Sequence, residues 1–248
     1  MTDGPEATDL AVGREMATRL PLVILPGIDG TREVRAGLVA RLARDRNVVL
    51  IDYPADAPAD YHQLYDFVLP KLPDGRFVVL GESYSGPMAT LVAARLKERV
   101  AGLVLAVTFV TPPLPAPFRT ITRWFGTGFL PFAVTDWILM NSEPGRVREA
   151  MHRAIETVPD AAIKARALAA LGVDMRSALA SVDCPVMALE AKRDRLILGH
   201  CSRAIAEAKP GRRRVLIDGP HMILETNVEE SAQVIERFCE MVETPVAQ

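Results

Sequence analysis

Cysteine is scarce in this chain of 248 residues, with only Cys184, Cys201 and Cys239. Three thiols so widely spaced build neither a disulfide framework nor a zinc site, and each reads as a small core residue in a reducing compartment. Long apolar runs are missing too. The longest, AGLVLAVTFV, is about half the length that crosses a bilayer, and the opening MTDGPEATDLAVGREMATRL carries acids where a signal peptide would have its apolar stretch. A cytoplasmic protein without a membrane span is expected. Nor does one sign of charge dominate: 29 Lys and Arg face 31 Asp and Glu, for a net charge of -2 and a pI near 6.1. With its arginines scattered rather than striped, the chain offers no basic field for a phosphate backbone, which excludes nucleic acid as a partner. There is no HExxH, no cluster of Cys and His, and no GxGxxG after a strand, so neither a metal nor a dinucleotide cofactor is implied. No internal repeat interrupts the chain.

What is present is an ordinary globular composition, 49% hydrophobic and 24% charged, long enough to bury the core of one domain. Short β-branched runs recur: LPLVIL (20–25), NVVLID (47–52), RFVVLG (76–81), VAGLVLAVTF (100–109), PVMALEA (185–191) and RRVLID (213–218). They are apolar on both faces rather than alternating, as strands of a parallel sheet covered by helices are. Between the first three lie helical patterns, Val34, Leu38 and Leu42 in one and Tyr61, Leu64, Val68 and Leu72 in the other. The alternation predicts an α/β fold, a mostly parallel sheet of six to seven strands with helices on both sides. It breaks once, between residues 111 and 182, where a proline-rich exit, PPLPAPF, leads into helical patterns such as RVREAMHRAIETV and AAIKARALAALG. The expected organisation is a flexible tail over 1–18, a core over 19–110 and 183–248, and a helical cap over 111–182 laid on one edge of the sheet.

One stretch carries chemistry. In LGESYSGP (80–87) a strand turns sharply into a helix around Ser83, with Gly81, Ser85 and Gly86 leaving room at the bend and Pro87 suited to a first helical turn. Such a turn lifts a serine hydroxyl clear of the sheet, where a base can take its proton. Asp194 follows the strand PVMALEA, and His221 follows the last strand. Ser, Asp and His in that order, each beyond the C-terminal end of a parallel strand, supply the residue types of a nucleophile, base and charge partner.

On these residues the chain resembles the α/β-hydrolase superfamily, from about residue 20 to the end, with a cap inserted between two strands. The elbow is Gly81-Glu82-Ser83-Tyr84-Ser85-Gly86, Ser85 standing where glycine is usual; the acid loop is Asp194-Arg195-Leu196-Ile197, and the histidine loop is Gly219-Pro220-His221. The resemblance implies that Ser83 is the nucleophile, Asp194 the charge partner and His221 the general base. It also implies an oxyanion hole from the backbone amides of Tyr84 and of Ile28 in LPGIDGT, where Pro26 replaces the family's common histidine. An aspartate nucleophile, the mark of a dehalogenase, is absent.

Other candidates have plainer explanations. Asp183 precedes its strand, on the wrong edge, and Asp218 lies so near His221 that it reads as a brace for the loop. His62, His152 and His200 read as solvated or packed side chains. Asp29 reads as a turn former beside the oxyanion loop, and Glu82 as either an elbow residue or a site residue. The region 118–139 holds Phe118, Ile121, Trp124, Phe125, Phe129, Leu130, Phe132, Trp137, Ile138 and Leu139, with six of the chain's ten Phe and Trp. These pack the cap on the body, and some of them are candidates to line an acyl pocket. The expectation is a serine hydrolase acting on a small-molecule carboxylic ester with a neutral, fairly apolar acyl group. Thioester hydrolysis, acyl transfer, carbon–carbon bond hydrolysis and a non-catalytic ligand-binding role remain open.

Overall fold

Strand β1 (Leu22–Leu25) is followed by α1 (Ala36–Leu42), β2 (Val48–Leu50), α2 (Tyr61–Val68) and β3 (Phe77–Glu82). The computed structural model describes residues 19–126, 132–140 and 145–244. The expected tail, 1–18, lies outside them, as do Phe129 and Leu130 and the side chains of Phe125 and Phe132. Helix α3 (Gly86–Arg95) leads to β4 (Val100–Ala106). Then come α4 (Pro117–Phe125), α5 (Phe132–Met140), α6 (Arg146–Thr157), α7 (Asp160–Ala170) and α8 (Arg176–Ala180), with no strand among the described residues. The chain then continues through β5 (Val186–Ala191), α9 (Gly199–Ala208), β6 (Arg213–Ile217), α10 (Ile223–Thr226) and α11 (Val228–Glu243).

The sheet has six strands in the order β2-β1-β3-β4-β5-β6, and every neighbouring pair is parallel. Successive side chains point to opposite faces. Val23 and Leu25 therefore join the core beneath α2 and α3, while Leu22 and Ile24 join the core beneath α1 and α11. This is why the central strands are apolar on both faces. β6 departs from that expectation, because no strand lies beyond it: Arg213, Arg214 and Leu216 are exposed and only Ile217 is buried.

Local chemistry sets several boundaries. Asp60 starts α2 by accepting hydrogen bonds from the backbone of His62 and Gln63. α1 starts later than its apolar spacing suggests, since the Asp29 carboxylate holds the Thr31 amide in a turn. Val34 is thus off the helix and packs against Met140 and Met151 of the inserted helices. β4 stops at Ala106 rather than running on to Phe109, because Val107 takes a φ of +43° while its amide donates to the Leu189 carbonyl at 2.8 Å. A β-branched residue in the left-handed region is costly, and here it aims Thr108 at the serine turn.

The chain leaves β1 towards one edge of the sheet and returns to β3 on the other side. The loops after β1 and β3 diverge at this switch point and open a crevice at the C-terminal ends of the strands.

Candidate active site

Ser83 sits in that crevice with a φ of +47°, directly after β3 and as the first residue of a single 3-10 turn that leads into α3. A Cβ on Gly81 would run into the Ser85 carbonyl, and one on Gly86 into the Thr108 side chain, so both positions need glycine. The Thr108 hydroxyl donates to the Ser83 carbonyl. The Ser85 hydroxyl donates to the Pro26 carbonyl and lies 3.0 Å from the Tyr53 hydroxyl. Both departures from the family pattern meet in that contact: the serine that replaces a glycine ties the elbow to the proline that replaces a histidine.

The structure brings Ser83, Asp194 and His221 together. Ser83 Oγ lies 3.0 Å from His221 Nε2, and His221 Nδ1 lies 2.8 Å from Asp194 Oδ2. The other carboxylate oxygen, Oδ1, accepts the amides of Leu196 and Ile197 at 2.8 Å each, which fixes the acid's orientation. All three side chains are almost fully buried. The competing residues lie elsewhere. Asp183 pairs with Lys97 and Asp218 with Arg193; His62 meets Arg95, His152 meets Asp136, and His200 meets the Pro112 carbonyl.

Ser83, Ile28 and Tyr84 line a cavity of about 390 Å³ whose other walls are mostly apolar, among them Phe109, Leu114, Phe118, Ile138, Leu171 and Leu196. Tyr84 is held on three sides: its hydroxyl donates to the Ala59 carbonyl at 2.8 Å, its carbonyl accepts from the Tyr61 hydroxyl at 2.8 Å, and the two rings stack. The Ile28 loop is gripped by Arg166 of α7. This guanidinium donates to the carbonyls of Ile28, Asp29, Tyr53 and Pro54 at 2.8 to 3.0 Å. No cluster that could hold a metal exists among the described residues. Burial raises all three thiols, Cys184 and Cys201 to about 11 and Cys239 to about 12, in keeping with packed residues.

Behind the elbow lies a charge cluster. Arg35, fully buried, holds Glu82 with Nε and Nη2 and Asp29 with Nη1 and Nη2. Glu82 therefore points away from the cavity, and Asp29 does more than shape its turn. Glu225 of α10, beyond the histidine loop, is buried beside them; as a carboxylate it would have no hydrogen-bond donor, whereas its protonated form can donate to Glu82. Sequence reading missed Arg35, Arg166 and Glu225, for no local pattern marks a buried charge whose partners lie far along the chain.

The model of a family described as the alpha/beta hydrolase family matches residues 22–236. The chain belongs to the alpha/beta hydrolase family. A putative carbamate hydrolase, RutD, from Pseudomonas savastanoi pv. phaseolicola is 26% identical over 220 residues, covering 79% of this chain and 84% of that protein. A thermophilic esterase from Thermogutta terrifontis superposes with a TM-score of 0.75 at 23% identity over 91% of each chain. An esterase from Exiguobacterium antarcticum reaches 0.78 at 17% identity, covering 89% of this chain and 92% of its own. Within this hydrolase fold, no helix among the described residues is long and apolar enough to cross a membrane.

The buried carboxyls of this protein make opposite contributions to stability. Burial alone would push Asp29 up, but the charge and hydrogen bonds of Arg35, with those of Thr31, hold it below the usual carboxylate range. Its contribution is therefore present at neutral pH and lost as pH falls through the folded value. Glu225 is pushed well above that range, by burial first and then by the Glu82 charge, which outweigh the attraction of Arg35. With the folded value held above the unfolded one, Glu225 lowers stability progressively as pH rises above the ordinary carboxylate value. Glu225→Gln should remove this penalty. The variant is expected to gain stability over the wild type by up to about 1.4 kcal/mol per pH unit across that window, read from urea unfolding at pH 5 to 8. An equal effect at pH 5 and pH 8 would show that Glu225 does not change protonation on folding.

Proposed function

We propose that the protein is a serine hydrolase that cleaves carboxylic esters of small to medium apolar acyl groups through an acyl-enzyme. The observation that carries this reading is the Ser83 hydroxyl, 3.0 Å from an imidazole that is itself oriented by a buried carboxylate, at the wall of an apolar cavity. His221 Nε2 takes the Ser83 proton as Oγ forms a bond to the ester carbonyl carbon, and Asp194 holds the proton on Nδ1 and stabilises the imidazolium. The carbonyl oxygen becomes an anion beside the amides of Ile28 and Tyr84, whose backbones are held by Arg166 and Tyr61 respectively. His221 then protonates the departing alkoxide as the carbon–oxygen bond breaks. Water, activated by the same imidazole, attacks the acyl-enzyme and releases the acid and Ser83.

The size and chemistry of the cavity support the substrate class. About 390 Å³ holds a medium acyl chain, and Arg195 is the only charged side chain on its walls among the described residues. Turnover of p-nitrophenyl esters should rise from acetate to a maximum at an intermediate chain length and fall by laurate. A rate that does not depend on chain length would separate the cavity from acyl recognition. The name of the Pseudomonas relative favours a carbamate as a second bond type. The same attack on an aryl carbamate would expel the phenol and leave a carbamoyl-serine, which water would release as a carbamic acid that breaks down to an amine and carbon dioxide; a carbamate turned over faster than every ester would replace the ester reading.

A further inference from the structure

Helix α4 buries almost nothing. Among its described side chains only Thr122 is buried, while Phe118, Ile121 and Trp124 face water. On α5, Val134 and Trp137 are exposed as well. Five of the eight large exposed apolar side chains in the described residues thus fall on these two helices, and Trp124 is 75% and Trp137 51% exposed. Single exposed apolar residues need no explanation, but a concentration of them marks a surface with an absent partner.

The charge around this face is positive. α4 carries Arg119 and Arg123 and no acid. Arg195 stacks over the Trp137 ring, 4.0 Å from its centre, and donates to the Trp137 carbonyl at 2.9 Å. None of the three pairs with a carboxylate among the described residues. The one acid of α5, Asp136, is buried and turned to Arg148 and His152. In a chain of net charge -2, this local excess of cations stands out. The face is also continuous with the cavity: Phe118 is exposed on one side and lines the cavity on the other, and Thr122, Ile138 and Arg195 join it on the wall.

We infer that the α4–α5 face docks on an anionic lipid surface, with the Ser83 cavity opening towards the lipid. Tryptophan, whose ring is apolar with one polar edge, favours the boundary between water and acyl chains, and arginine adds attraction to acidic headgroups. A second copy of the chain fits poorly. A two-fold interface on this face would bring Arg119, Arg123 and Arg195 together with their own copies, and among the described residues none of the three has a carboxylate partner to offset them. Docking itself does not depend on the reaction; only the delivery of acyl groups from the lipid rests on the ester reading.

The two tryptophans of this face are the only two in the chain, so intrinsic fluorescence reports on it directly. Large vesicles of phosphatidylcholine with one quarter phosphatidylglycerol should shift the emission to the blue and shield it from iodide, and high salt should weaken the response. Ile121→Glu should reduce vesicle partitioning at least about tenfold while leaving hydrolysis of a short soluble ester unchanged, since Ile121 does not line the cavity. Arg123→Glu should weaken binding to the acidic vesicles alone. Vesicle binding should persist in Ser83→Ala, so failure of the ester reading leaves this result standing. The inference falls if the acidic vesicles give no shift, or if neutral vesicles bind equally well. It also falls if light scattering shows a dimer that Ile121→Glu dissociates, with no response to lipid.

Discussion

Ser83→Ala should lower p-nitrophenyl ester turnover about 10⁴-fold or more while leaving the unfolding midpoint close to that of the wild type. The size of the loss follows from the proposed mechanism, in which the Ser83 hydroxyl is the nucleophile. The Ser83 hydroxyl faces His221 Nε2 at 3.0 Å, and alanine removes the oxygen that the proposed acyl-enzyme requires. Stability should change little because the features that hold the elbow do not use that oxygen. Thr108 grips the Ser83 carbonyl, Ser85 grips Pro26, and alanine meets the φ of +47° with much the same strain as serine. A fluorophosphonate probe, which needs the activated hydroxyl, should label the wild type and leave the mutant unlabelled. If turnover survives in Ser83→Ala, the serine mechanism is wrong; if only the mutant's fold is lost, the elbow depends on that hydroxyl in a way its contacts do not explain.

The parts of this molecule legible in the sequence are those encoded by local pattern. Six β-branched runs became six parallel strands, because burial on both faces leaves an apolar run wherever a strand sits inside the sheet. Ser83, Asp194 and His221 could be picked out as candidates for a similar reason, standing one, three and four residues past the end of a strand, where the polypeptide must turn and ligands gather. The boundaries that failed were decided by tertiary contacts. β4 stops at Ala106 because Thr108 is needed under the elbow, and α1 starts at Ala36 because Asp29 and Arg35 hold the preceding turn. A guanidinium that grips carbonyls 112 to 138 residues away, as Arg166 does, leaves no periodicity to read. The hydroxyl of Ser85 shows the same limit: its small size was visible as permission for the turn, whereas its bond to Pro26 depends on two loops meeting.

Arg35→Met should destabilise the protein by about 3 to 5 kcal/mol and reduce turnover in what remains folded. The charge removed is the only cation among the described residues that binds Asp29 and Glu82 directly, and both carboxylates are nearly buried. A buried ion pair need not add net stability, but breaking one from a single side leaves its partner charge in a medium that solvates it poorly. The argument can be tested against a simple packing loss. Neutralising the acids as well, in Arg35→Met combined with Asp29→Asn and Glu82→Gln, should recover much of the lost stability in urea unfolding; if the triple variant is no better than Arg35→Met, the cost is packing and not uncompensated charge. Activity should separate from stability in this series. Asp29 belongs to the loop that carries Ile28, and Glu82 precedes Ser83, so Arg35 sets the spacing between the proposed oxyanion donor and the nucleophile. A triple variant that regains its stability should still show a reduced kcat with a nearly unchanged KM, because binding in the apolar cavity does not require that spacing and stabilisation of the tetrahedral anion does.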